Sequence, residues 1–248
     1  MNFYSDYFQH TPQDDFGYSP EWNQEINKWL EFVFYLNKDY YKKNKKRVLI
    51  DKQRNELLGE LKTIYFFGKI LRLNIEDLEP DGKDYTKLDL SIKDLKNNLW
   101  KVEVKAPSWK GQLWKDSNLS ESQKRIRVSK PKYINGEAGS FSSEEEIKYT
   151  VEDSIKNALP KFTKGDNNLL VITPDMHHQI ITMLAVSAMA GGSGAIQDEI
   201  TTQDGTNIIS TVLILEPILP ALENEVRYSH KFIGVNNKPI LPTIAEFI

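Results

Sequence analysis

The chain has 248 residues, 40% apolar and 27% charged, with a net charge of −3 and no cysteine. That is the composition of a globular chain, long enough for one large domain or two small ones. The absence of cysteine excludes a disulfide scaffold, a thiolate zinc site, an iron–sulfur cluster and a cysteine nucleophile, and the acidic balance confines any nucleic-acid contact to a local patch.

In chain order, Trp22, Ile26, Trp29, Leu30, Val33 and Leu36 recur at helical spacing after Ser19-Pro20. A second helix is predicted from Lys52 to Leu73, with Leu57, Leu58, Leu61, Ile64, Tyr65, Gly68 and Leu71 as its stripe. The period then changes to two. Leu88, Leu90 and Ile92 are predicted on one face of a strand, with Asp89 and Ser91 on the other. After Asn97-Asn98, Trp100, Val102 and Val104 share one face of a second strand and Lys101, Glu103 and Lys105 share its opposite face. An antiparallel hairpin is the simplest arrangement. Pro107 ends it.

Residues 106–143 read as a long irregular connection of the kind that forms lids and binding loops. Ser143 then caps a helix carrying Ile147, Val151, Ile155, Ala158 and Leu159, which stops near Pro160. Leu169-Leu170-Val171-Ile172 reads as a buried strand. Thr173-Pro174-Asp175 opens a helix to about Ala190, and strands are predicted at Ile208–Leu215 and Lys231–Gly234. The fold class is mixed α/β.

Asp89 and Glu103 sit on neighbouring predicted strands, with Lys105 on the same face as Glu103. Two carboxylates about 4 Å apart repel by roughly 4 kcal/mol at an effective dielectric near 20, so such a pair calls for a cation. Oxygen ligands favour Mg²⁺, or Mn²⁺, and a metal on two carboxylates beside a lysine suits attack of water on a phosphodiester.

Asp89, thirteen intervening residues and then Glu103-Val104-Lys105 resemble the signature of the PD-(D/E)XK nuclease superfamily. The resemblance covers about residues 52–190. It implies a restriction-endonuclease-like mixed sheet with an αβββαβ core flanked by helices. Residues 1–50 would be an N-terminal helical extension and 191–248 a C-terminal β extension of one domain spanning 1–248. It further implies a metal-dependent endodeoxyribonuclease of restriction, phage-defence or DNA-processing type. Asp89 and Glu103 would bind metal, Lys105 would orient the attacking water, and Glu60 on the preceding helix would bind metal directly or through water. The sequence departs from the pattern in having Leu88, not proline, before the aspartate. Pro80-Asp81 supplies a literal Pro-Asp pair, so Asp81 and Asp84 compete with Asp89, as Glu56 competes with Glu60.

The basic run Lys124, Arg125, Arg127, Lys130 and Lys132, near Trp109, Trp114 and Tyr133, is the predicted grip on substrate phosphates, with Lys42 to Arg47 next in line. DNA is the expected partner, RNA the other substrate class, and a homodimer would suit cleavage of both strands. The competing function is a non-catalytic protein- or nucleic-acid-binding module on the same fold. The N-terminus lacks the features of a signal peptide, and the apolar run 180–190 is too short to span a bilayer, so a soluble cytoplasmic protein without a membrane partner is expected.

Overall fold

A computed structural model describes residues 2–8, 20–107, 153–173, 207–218, 225–234 and 241. The first layer is helical: α1 (Phe3–Phe8), α2 (Pro20–Leu36), α3 (Lys38–Asn44) and α4 (Asp51–Tyr65), with a 3₁₀ turn at Lys45–Leu49. Proline suits the first position of α2, where its missing N–H removes nothing. Of the predicted stripe, Trp22, Ile26, Trp29, Leu30 and Val33 are buried, while Leu36 at the end of the helix is exposed. Asn37 separates α2 from α3: its extended backbone stops one helix, and its side chain accepts the Asp39 and Tyr40 N–H groups that start the next. The helix predicted to Leu73 changes character earlier, because α4 passes into a π turn at Phe66–Ile70. Gly68 lies in that turn where a Cβ would stand 2.5 Å from the Phe32 ring, so α2 closes on it only because the side chain is missing.

Among the described residues, six strands form one sheet in the order β1 (Asn74–Leu78), β2 (Leu90–Lys93), β3 (Leu99–Lys105), β4 (Asn167–Ile172), β5 (Thr211–Ile218) and β6 (Arg227–Gly234). The first three are antiparallel, β4 and β5 continue parallel to β3, and β6 returns antiparallel. Strand alternation divides the core in two. Leu90, Ile92, Trp100, Val102, Val104, Leu169, Val171, Leu213 and Leu215 pack with the N-terminal helices. Leu170, Ile172, Val212 and Ile214 face the other way, against Ile155, Ala158 and Phe162 from α5 (153–158) and the turn after it. The chain is thus a mixed α/β fold with helices on both faces of the sheet. Residues of α1, α2 and α3 belong to the first of these two cores.

The strand faces differ from expectation at one point. Leu88 lies in the second core while Leu90 and Ile92 lie in the first. The cause is a bend at Asp89, which stands before β2 rather than within it. Leu88 is held by a hydrogen bond from its N–H to the Pro80 carbonyl, in the turn that precedes the bend. Among the described residues no helix is long and apolar enough to cross a membrane.

Candidate active site

The β2–β3 turn sets the register of the site. The Asp94 carboxylate accepts the Lys96 and Asn98 N–H groups, the Asn98 amide and the Trp100 indole N–H, and Asn97 takes the left-handed φ of 65° that such a turn requires. Burial works against the Asp94 charge, but these donors hold its pKa below the ordinary value. From there the ladder runs Lys93↔Leu99, Ile92↔Trp100, Ser91↔Lys101 and Leu90↔Val102. One residue further, the chain bends away.

Asp89 occupies the place where the ladder opens. Its N–H still reaches the Val102 carbonyl at 3.2 Å. The next N–H pointing from β3 toward β2 is that of Val104, and the bend has taken away its backbone partner. The Asp89 carboxylate replaces that partner, with Oδ2 accepting the Val104 N–H at 2.6 Å. A carboxylate bound this way lies in the plane of the sheet, between its two faces. Burial, then the negative charges of Glu60 and Glu103, push its pKa well above the ordinary carboxylate range. The Val104 N–H and Lys161 oppose the shift without cancelling it.

Glu103 is 1% exposed, an unusual place for a charge unless it is paired. Its Oε1 accepts two ammonium groups, Lys105 Nζ at 2.7 Å and Lys161 Nζ at 2.6 Å. Its Oε2 is buried without a hydrogen-bond partner. Lys161 arrives from the 3₁₀ turn Leu159–Lys161, which connects α5 to β4. Gly82 lets the preceding loop approach there, because a Cβ on it would stand 2.8 Å from the Lys161 carbonyl. Burial works against the Lys161 charge, but Glu103, with Asp89 and Glu60 beyond it, keeps its pKa above that of a free lysine.

Glu60 reaches the site from α4. It lies near enough to raise the Asp89 pKa, but both its oxygens are engaged. Arg47 binds it in a fork, Nη2 to Oε1 and Nη1 to Oε2, each at 2.7 Å, and the Tyr40 hydroxyl donates to Oε2 at 2.7 Å. Burial, then Glu60, push the Tyr40 phenol well above its ordinary pKa, so it remains a donor. As placed, Glu60 is an anchored acceptor rather than a free metal ligand. Glu56 points elsewhere, toward Lys52 at 3.9 Å. Asp81 and Asp84 sit exposed in the turn before Asp89, beside Lys87 and Lys83 respectively.

The structure therefore brings Asp89, Glu103, Lys105 and Glu60 to one end of the sheet and adds Lys161, Arg47 and Tyr40. Among the described residues, no three acidic, histidine or cysteine side chains form a complete metal cage. Two features nevertheless suit a cation: the unpartnered Oε2 of Glu103, and Asp89, buried beside the negative charges of Glu60 and Glu103. The basic run Lys124 to Lys132 and the helix predicted after Thr173 lie outside the described residues. No sequence signal singles out Lys161 or Tyr40. Arg47 carries a weak one, as the arginine in a run of lysines, since only a guanidinium can fork onto a carboxylate. No protein-family model, curated protein or solved structure matches this chain.

Proposed function

We propose that the protein is a metal-dependent nuclease of the PD-(D/E)XK type that hydrolyses phosphodiester bonds, with DNA as the favoured substrate. One observation carries this reading. A carboxylate takes over a ladder N–H at the point where two strands splay, beside a Glu-x-Lys on the neighbouring strand. The order α4, three antiparallel strands, α5 and a parallel strand supports it.

Asp89 and the free oxygen of Glu103 would hold Mg²⁺ or Mn²⁺, which when bound polarises a phosphoryl oxygen as a Lewis acid. Asp89 is kept in place by Val104 and cannot swing away without giving up a buried N–H. Lys105, hydrogen-bonded to Glu103, would orient the attacking water or meet the charge that develops on the phosphorus oxygens. Glu60 acts at one remove: held by Arg47, it adds negative potential beside Asp89 and can order a water between them.

A second reading, a non-catalytic binding module, draws on the pairing of Glu103 with two lysines, which gives that carboxylate partners without a metal. The test is incubation with supercoiled plasmid, linear duplex and single strands, in Mg²⁺ or in EDTA. Cleavage in Mg²⁺ that is abolished in D89A, E103A and K105A supports the nuclease. Wild-type protein that binds these substrates and leaves them intact supports the module.

A further inference from the structure

We propose that Lys161 is a substrate-contacting residue, a second cation that meets the scissile phosphate alongside Lys105. This inference deepens the nuclease reading and rests on it.

Three observations lead to it. First, Lys161 and Lys105 converge on a single oxygen of Glu103, at 2.6 and 2.7 Å. Both ammonium groups therefore stand at the carboxylate assigned to the metal. Each ammonium has three N–H donors, so beyond its bond to Glu103 it can still donate to a phosphodiester oxygen.

Second, the two lysines come from different elements, Lys105 from the end of β3 and Lys161 from the turn before β4. Their ammonium groups therefore approach the same point along different paths, as a clamp on two oxygens of one phosphate requires.

Third, Lys161 is placed by its surroundings yet open to solvent. Pro160 stiffens its turn, Phe162 beside it is fully buried, and Gly82 admits the neighbouring loop against its carbonyl. Its side chain keeps 30% of its exposure, so a ligand can reach the ammonium without the fold opening.

The experiment compares wild type, K161M and K161R. Binding of a labelled DNA duplex is followed by anisotropy against salt concentration in EDTA, and cleavage is measured separately in Mg²⁺. With one cation fewer on the phosphates, K161M should show a log–log salt slope shallower by about 0.9, and K161R should restore it. Turnover in K161M should fall by about a hundredfold, as on removing one donor to a developing oxyanion. K161M that melts earlier but keeps the wild-type slope and turnover overturns the proposal and leaves the nuclease standing. A slope that depends on Lys161 in a wild-type protein that cuts nothing supports the phosphate contact and overturns the hydrolytic reading. Wild-type protein that neither binds nor cuts overturns both.

Discussion

Asp89→Asn should make the protein more stable while destroying its activity. The asparagine Oδ1 can still accept the Val104 N–H, so the bond at the open ladder survives. What disappears is a buried charge facing Glu60 and Glu103. Two unit charges about 5–6 Å apart repel by about 3 kcal/mol at an effective dielectric near 20. The lysines on Glu103 and Arg47 on Glu60 offset much of this, leaving an expected gain of about 1–2 kcal/mol at neutral pH. For a chain of this size that is a rise in Tm of about 2–8 °C. The pH dependence follows from the direction of the shift. The folded-state pKa of Asp89 lies above its unfolded value, which is near 3.9. Its proton therefore favours the wild-type fold below that value, and this stability is lost as pH rises through the folded-state pKa. The advantage of D89N should accordingly widen as pH rises from about 4 toward neutrality in thermal melts. Added Mg²⁺ should then raise the wild type alone, by about 2.7 kcal/mol at a hundredfold excess over its Kd. A D89N protein that melts at or below wild type at neutral pH, or with a gap indifferent to pH, would refute the electrostatic account of this site.

Arg47→Met strips the fork from Glu60. Breaking a buried pair costs about 3–5 kcal/mol, and with the Arg47 side chain 23% exposed a loss of about 2–3 kcal/mol is expected, read as a Tm lower by about 4–12 °C. If E60Q fails to rescue part of that loss in a double-mutant cycle, the two residues are not coupled as described. Gly59→Ala places a Cβ 2.7 Å from the Ala106 Cβ and should cost about 1–3 kcal/mol in urea unfolding; an unchanged midpoint would mean that α4 is not seated on the end of β3. Glu56→Gln should leave both stability and cleavage at wild-type levels, and a loss of cleavage would shift the helix carboxylate of the site from Glu60 to Glu56.

The hairpin was legible in sequence because both of its strands alternate and Asp94 to Asn98 supply turn chemistry between them. β1 was not, since Asn74-Ile75-Glu76-Asp77-Leu78 is a polar edge strand with little apolar pattern to detect. The bend at Asp89 was also invisible. Alternation assigned Leu88 to the face of Leu90, and only the competing bond to Pro80 shows why it turns the other way. Asp89, Glu103 and Lys105, singled out from spacing, lie together, and Glu60, named from the resemblance, lies near them. Their partners Arg47, Tyr40 and Lys161 could not be found that way, because tertiary packing brings them in and no local period marks them.

The order of the sheet has a consequence for how the protein folds. Among the described residues each strand pairs with the next described strand in the chain, so these strands can assemble from the N-terminus without any of them being inserted between two others. The β1–β2–β3 meander and α4 close short loops. Joining β4 to β3 closes roughly sixty residues, and closure entropy rises with loop length. The acids of the site consequently come together early, with Lys105 as their nearby cation, while Lys161 arrives only when β4 docks. A chain caught before that step, for example by a ribosome stall, would hold Glu103 on a bare sheet edge with half its complement of lysines. The finished electrostatics of the site are a late product of synthesis.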